Sequence, residues 1–378
     1  MDIEPPKRPI RFVMLGGFLG AGKTSALLRV ARHYANLNLR VGIITNDQAE
    51  GLVDTLTFRS AGLVTEEIPS GCFCCHFEKL LEASGRLADG LDPDVILAEP
   101  VGSCTDLVNA VISPLRAIYP DRFSVAPYAV VLDPERALEA LTGQGAQGFS
   151  SKVTYIYKMQ QNEADIIAIN KVDRLTPAAL DEVMRLVRQN FPKAEHLAVS
   201  ARTGEGFEAL MARIDGDGAT GQHPVVVDYA IYSEGEAALG WLNARVKLSG
   251  EDAWDGDAAL ESLAIRIHGS LVTAGAEVAH FKMRLIDGAR EGAVHATSNM
   301  RGCEVVHRLD GPLIEGSLVV NLRAEAGPEV LREIVLEAIA ASVVDCGLVH
   351  EVVSLEAFAP NAPVPPPPGR STVRVGVW

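Results

Sequence analysis

The sequence has no uninterrupted apolar stretch of the ~20 residues that a helix needs to cross a bilayer, which argues against a helical membrane span. It also has no lysine or arginine run of the kind that tracks a phosphate backbone. With 49 acidic against 34 basic residues the net charge is -15, so nucleic acid is not an expected partner. Met1-Asp2-Ile3-Glu4-Pro5-Pro6 is acidic and proline-rich and lacks the basic and apolar regions of a secretory leader, so the expected compartment is the cytoplasm. Internal repeats are absent. Cysteine is sparse and uneven: of six, four fall between Cys72 and Cys104, while Cys303 and Cys346 stand alone. Cys72, Cys74 and Cys75 are too crowded for a spread-out disulfide framework, and their spacing suits thiolate chemistry with metals.

What is present fits a folded globular chain: 48% hydrophobic residues, 34 Gly and 21 Pro. A length of 378 residues is large for one core and predicts two domains. Ile10 to Leu15 reads as a buried strand, followed by a glycine-rich turn and a helix from Ser25. Strands are expected again at Val41 to Thr45, Val95 to Glu99, Tyr128 to Asp133, Ile166 to Asn170 and His196 to Ser200, with helices at Pro177 to Gln189 and Gly206 to Ile214. This alternation predicts an α/β domain with a mainly parallel sheet over residues 1–215. Residues 216–224 are turn formers and read as a linker. Over 225–360 the pattern changes to that of a smaller α+β domain with a largely antiparallel sheet. Strands are expected at Val225 to Tyr232, Val278 to Ile286, Leu318 to Arg323 and Val349 to Leu355, and helices at Glu236 to Arg245, Ala258 to Thr273 and Pro328 to Val344. Residues 361–378 read as an extended proline-rich tail.

Gly17-Phe18-Leu19-Gly20-Ala21-Gly22-Lys23-Thr24 fits G-x-x-x-x-G-K-[ST] and stands between a strand and a helix, as a P-loop must. Small residues at Gly17, Gly20, Ala21 and Gly22 let successive backbone N–H groups face phosphates, and the helix that Ser25 enters adds the partial positive charge of its N-terminus. Lys23 is expected to bridge the β- and γ-phosphates, and the Thr24 hydroxyl to coordinate Mg²⁺. Asn170-Lys171-Val172-Asp173 directly follows a strand. A carboxylate held there accepts two hydrogen bonds from guanine, a donor pair that adenine lacks, so GTP is favoured over ATP. Ser200-Ala201, after the next strand, looks like the loop that closes over guanine in GTPases. Glu99 ends an apolar strand, where ligands of open α/β sheets bind, and is expected at the Mg²⁺ site. Without a side chain, Gly102 is free to approach the γ-phosphate and to sense its hydrolysis.

Together Gly17 to Thr24, Gly71-Cys72-Phe73-Cys74-Cys75, Glu99-Pro100-Val101-Gly102 and Asn170 to Asp173 make the first 215 residues resemble the CobW, UreG and HypB group of metallochaperone GTPases, the CobW branch above all. The resemblance implies that the segment from Asn46 to Asp54 contacts Mg²⁺ or the carried metal through Asp47 or Glu50, with Asp54 a candidate to orient the attacking water. Gln48-Ala49 and Gly51-Leu52 depart from the family pattern there. The His-rich loop of many relatives is absent, and the second half does not map onto the family residue by residue.

Thiolates at Cys72, Cys74 and Cys75 suit Zn²⁺ and accept Co²⁺, Ni²⁺ or Cu⁺. They converge only if the chain turns near Cys74, which Gly71 would ease; in an extended segment Cys75 would point away. Three thiolates leave a fourth position open, which suits a site that must release its metal. His76 is a further candidate ligand, and Cys104 is expected to pack as a small residue. The reading that results is a GTPase with Lys23, Thr24, Asp54 and Glu99 as catalytic residues and Mg²⁺ held by Thr24, Glu99 and Asp47. It would gate a Zn²⁺, Co²⁺ or Ni²⁺ cargo by nucleotide state and pass it to a client metalloenzyme. No arginine finger is evident, so slow intrinsic turnover is expected, raised by metal, client or a second copy of the chain. Trp241, Trp254 and Phe281 are candidates for client recognition or for core. The alternatives are a GTPase that gates loading of a corrinoid or other cofactor with structural cysteines, and a regulatory GTP-dependent interaction module.

Overall fold

The computed structural model describes residues 8–47, 53–69, 72–143, 148–216, 218 and 220–367, with backbone only at Asp47, Val53, Asp54, Leu56 and Pro69. Glu50 and Gly71 lie outside the described residues. The chain divides into two compact units, one of residues 1–145, 154–233 and 363–378, the other of residues 146–153 and 234–362.

The first unit opens with β1 (Ile10–Gly17), α1 (Lys23–Asn36), β2 (Val41–Asp47), α2 (Val53–Ser60), β3 (Val64–Pro69), α3 (Phe77–Leu91) and β4 (Val95–Glu99). A π-helical turn over Val108–Ile112 leads into α4 (Ser113–Ile118), then β5 (Phe123–Val125), β6 (Ala129–Leu132) and α5 (Pro134–Thr142). After α6 (Ser151–Asn162) come β7 (Ile166–Ile169), α7 (Pro177–Asn190), β8 (Glu195–Ala198), α8 (Phe207–Asp215) and α9 (Tyr229–Ala238). The strands form one parallel sheet in the order β3-β2-β4-β1-β6-β7-β8, with β5 also pairing with β1. Both faces are covered. Val13 and Leu15 join a core with Leu27 and Val30 of α1 and Leu210 and Ile214 of α8. The alternate residues Phe12 and Met14, on the other face, are just as fully buried. Strand order reverses around β1, so the C-terminal ends of β1, β4 and β6 open the crevice where ligands of such sheets bind.

The second unit contains β9 (Leu239–Trp254), α10 (Gly256–Thr273), β10 (Glu277–Asp287), β11 (Arg290–Ala296), β12 (Glu304–His307), β13 (Leu313–Glu325), α11 (Pro328–Asp345) and β14 (Leu348–Phe358). Its sheet is antiparallel in the order β12-β11-β10-β13-β9-β14. One face packs on α10 and α11 through Leu242, Phe281, Leu322, Ile267 and Ile339.

Two expectations fail here. Val225 to Tyr232 is not a strand: α9 starts at Tyr229, where the Asp228 carboxylate accepts from the N–H groups of Ala230 (3.0 Å) and Ile231 (3.2 Å) and caps the first turn. Glu236 to Arg245 is not a helix beyond Ala238. From Leu239 the chain is β9, an interior strand buried on both faces from Leu239 to Ala244 and paired with β13 and β14, and these tertiary pairings override local helix propensity. Trp241, Trp254 and Phe281 are buried, so they are core and not a recognition surface.

Candidate nucleotide and metal site

The loop after β1 owes its path to glycine. Gly17 has φ 138°, and a Cβ there would lie 2.4 Å from the Val131 carbonyl oxygen; Gly22, with φ 95°, would place one 2.5 Å from Asn170 Nδ2. Helix α1 begins at Lys23, so its free N–H groups face the crevice. Lys23 is buried and its ammonium donates to the Phe18 carbonyl at 3.4 Å. The Thr24 hydroxyl donates to Glu99 Oε1 at 3.0 Å, joining the start of α1 to the end of β4. Gly102 adjoins both: a Cβ there would meet Lys23 Nζ at 2.9 Å and Leu19 Cδ2 at 2.8 Å.

The residues expected to read guanine form a second cluster, held to the first by Asn170. Its Nδ2 donates to the Ala21 carbonyl (2.9 Å) and its Oδ1 accepts from the Ala201 N–H (2.9 Å). Lys171 donates to the Gly20 carbonyl at 2.8 Å and to Asp133 Oδ2 at 2.5 Å. Burial would push the Asp133 carboxyl up, but the charge and hydrogen bond of Lys171, with Arg136, hold it below its ordinary value. Asp173 accepts from the Ser200 hydroxyl at 2.6 Å and pairs with Arg202 at 3.1 Å. Sequence reasoning missed Asp133. The signal available was a carboxylate at a strand end before Pro134, where it caps α5 by accepting from the N–H groups of Glu135 and Arg136.

Cys72 to Cys75 form a tight turn, in which the Cys75 and His76 N–H groups donate to the Cys72 carbonyl at 3.1 and 2.9 Å. The turn brings Cys75 back beside Cys72, as convergence requires. The three sulfurs all lie within 4.8 Å of one another, and His76 stands at the N-cap of α3 outside that group. Sγ of Cys72 is 2.7 Å from that of Cys74 and 2.8 Å from that of Cys75, and Cys74 to Cys75 is 3.8 Å. Asn46, at the end of β2, anchors the turn: its Oδ1 accepts from the Phe73 N–H (2.9 Å) while its Nδ2 donates to the Ile68 carbonyl (3.1 Å). Cys104, expected to pack as a small residue, is buried, and it is not one of the three sulfurs that lie within 4.8 Å of one another. Hydrogen bonds from Cys104, Cys74 and Cys75 hold the Cys72 thiol well below the usual range, whereas contact with Cys72 pushes Cys75 up to about 11. The Val364 N–H also reaches Cys75. Of the carboxylates expected near Mg²⁺, Glu99 is at the Thr24 hydroxyl. The Asp47 and Asp54 side chains and all of Glu50 lie outside the described residues.

Residues 11–198 match the family described as CobW/HypB/UreG, nucleotide-binding domain. The first unit carries a CobW-type P-loop GTPase domain. Over 184 residues the chain is 28% identical to the zinc chaperone YeiR of Escherichia coli, a match that covers 47% of this chain and 51% of that protein. It thus spans about half the length of that relative. The urease accessory protein UreG of Metallosphaera sedula is 25% identical over 218 residues, covering 53% of this chain and 90% of that one. Among solved structures, the Zn(II)-bound YjiA GTPase from E. coli aligns with 88% of this chain and 98% of its own, at 17% identity and a TM-score of 0.37. The matched span includes Gly17 to Thr24, the cysteine turn and Asn170 to Asp173. Among the described residues no helix is long and apolar enough to cross a membrane.

Proposed function

We propose that the protein hydrolyses GTP and uses the change in nucleotide state to bind and release a thiophilic transition metal, Zn²⁺, Co²⁺ or Ni²⁺, for a client protein. The observation that carries this reading is the convergence of Cys72, Cys74 and Cys75 within 4.8 Å in the unit that also holds the P-loop. The names of the relatives, a zinc chaperone and a urease accessory protein, support the same direction.

The N–H groups from Gly17 to Ser25 cradle the phosphates, and Lys23 stabilises negative charge that develops on them. Asp173, fixed by Ser200 and Arg202, reads guanine, while Asn170, Lys171 and Ala201 brace the loop around it. Thr24 and Glu99, hard oxygen donors 3.0 Å apart, fit Mg²⁺, with Asp47 as a third candidate. Magnesium, when bound, neutralises charge on the β- and γ-phosphate oxygens. Gly102 admits the γ-phosphate to its backbone N–H, and Asp54 is the candidate to orient water.

The route to the metal runs through two segments. Asn46 holds the cysteine turn through the Phe73 N–H and immediately precedes Asp47, the third candidate at Mg²⁺, so the turn and the nucleotide meet at the end of β2. Soft thiolates favour zinc or cobalt over magnesium, which keeps cargo and cofactor at separate sites. The partners are a client metalloenzyme and, as a further candidate, a second copy of the chain; the site of action is the cytoplasm.

Phosphate release with GTP and with ATP is the test. Slow GTP turnover, raised by Zn²⁺ or Co²⁺ and abolished by Lys23→Ala, is expected; equal turnover of ATP, or indifference to both metals, would contradict the reading.

A further inference from the structure

The backbone of Lys171 lies in the left-handed region, with φ 60° and ψ 26°, a conformation that a lysine seldom keeps unless its surroundings hold it there. Two acceptors hold its ammonium: Asp133 Oδ2 at 2.5 Å and the Gly20 carbonyl at 2.8 Å. The three residues follow the C-terminal ends of β7, β6 and β1, which are neighbours in the sheet. The two oxygens of Asp133 have separate partners. Oδ1 accepts from the N–H groups of Glu135 (2.9 Å) and Arg136 (3.3 Å) and caps α5, which leaves Oδ2 for Lys171. Asn or Ser would cap α5 equally well; only a carboxylate also supplies the charge that Lys171 meets.

Gly20 matters for what lies across its peptide bond. In a trans peptide the carbonyl and the next N–H point in opposite directions, so with the Gly20 carbonyl drawn to Lys171 the Ala21 N–H points away from it. That N–H donates to the Phe18 carbonyl at 3.2 Å, and the Lys23 ammonium donates to the same oxygen at 3.4 Å. Two donors of the phosphate loop thus converge on one oxygen, an arrangement that suits a phosphate oxygen. The orientation of one of them is set from outside the loop, by Lys171 and Asp133. On its other side Lys171 is the N-cap of the short 3-10 turn Val172–Arg174, so its left-handed backbone also directs Asp173 toward the Ser200 hydroxyl at 2.6 Å.

We propose that Asp133 is a positioning residue for guanine nucleotide binding: by pairing with Lys171 it fixes the Gly20 to Ala21 peptide of the phosphate loop and the start of the guanine-side loop in one arrangement. This rests on the reading of Asn170 to Asp173 as the guanine side. Asp133 acts through Lys171. Without the carboxylate, the flexible lysine stem is free to turn its ammonium to water, which releases the Gly20 carbonyl and the left-handed backbone together.

The experiment measures GDP and ADP binding by calorimetry, and KM and kcat for GTP, on the full chain as wild type, Asp133→Asn, Lys171→Met and the double variant. The wild type should prefer GDP to ADP. Asp133→Asn keeps a capping oxygen for α5 and should weaken GDP binding by about tenfold or more, with KM for GTP rising by a larger factor than kcat falls. Lys171→Met should weaken binding at least as much, and the double variant no further than Lys171→Met alone, whereas a residue that merely caps α5 would give losses that multiply. An affinity for GDP within about twofold of wild type in Asp133→Asn, or multiplying losses in the double variant, would overturn the proposal and leave the guanine-side reading intact. A wild type that binds ADP as tightly as GDP would defeat that underlying reading, and the proposal with it. Asp133→Ser, which also caps α5 but is too short to reach Lys171, is the second variant should Asp133→Asn not fold. Loss of the fold in both would make Asp133 a structural residue and likewise overturn the proposal.

Discussion

Replacing Asn170 by Ala should loosen the link between the phosphate loop and the guanine-side loop. Asn170 is buried, and its amide is the one contact described above that touches both the Ala21 carbonyl and the Ala201 N–H, each at 2.9 Å. Truncation removes two neutral hydrogen bonds, each with a net contribution of about 1 kcal/mol, and leaves a carbonyl and an N–H in a site poor in water. The expected loss is about 3 kcal/mol, which corresponds to a fall of roughly 6–12 °C in the melting temperature of a domain of this size. Asn170→Asp separates the two contacts: it keeps an acceptor for the Ala201 N–H but sets an oxygen against the Ala21 carbonyl. Its loss should therefore be at least as large, whereas a merely space-filling Asn170 would tolerate the isosteric change. Thermal unfolding of the nucleotide-free chain, followed by titration with a fluorescent GDP, reads both effects. A shift below about 2 °C for both variants would refute the account of how these loops are joined.

Glu163 predicts a pH dependence. Burial pushes its carboxyl up from 4.5 to about 8, so between these values the folded state holds a proton that the unfolded state has lost. Stability from this group is full below about pH 4.5 and declines as pH rises toward about 8, by up to about 5 kcal/mol. Glu163→Gln should flatten that slope in urea unfolding at pH 5 and pH 8 and be the more stable variant at pH 8; an unchanged slope would contradict the assignment. Glu99→Gln removes a charged partner of Thr24 and should weaken the Mg²⁺ dependence of GTP turnover, lowering the rate by about 100-fold or more, with guanine nucleotide binding in the absence of Mg²⁺ retained.

The parallel sheet was legible because its strands are short apolar runs separated by helices with clear starts and stops; β4 was read to the residue. The edge strand β3 was not, since Val64-Thr65-Glu66-Glu67-Ile68-Pro69 is half polar and becomes a strand by pairing with β2. In the second unit β11 was overlooked although Asp287-Gly288 signals a hairpin: Asp287 pairs with Arg290 across a two-residue turn, with φ 59° at Gly288. The P-loop and the guanine motif announce themselves because phosphate and base recognition fix residue types at fixed spacing. Contacts made across the fold leave no such trace. Cys104 lies 29 residues beyond Cys75, and the pairing of β2 with both β3 and β4 brings their segments to one end of the sheet. Asn46 is an ordinary amide in the sequence and acquires its role by where it is buried.

The central claim is that nucleotide state governs metal affinity. Its most direct test is a competition titration of Zn²⁺ and Co²⁺ against a chromophoric chelator, with reduced, metal-free protein loaded with either a non-hydrolysable GTP analogue or GDP. The account predicts at least about tenfold tighter binding in the GTP-like state, a coupling of ~1.4 kcal/mol, lost in Cys74→Ala. Equal affinity in the two states, or no binding in either, would contradict it and leave a GTPase whose cargo is not a metal ion.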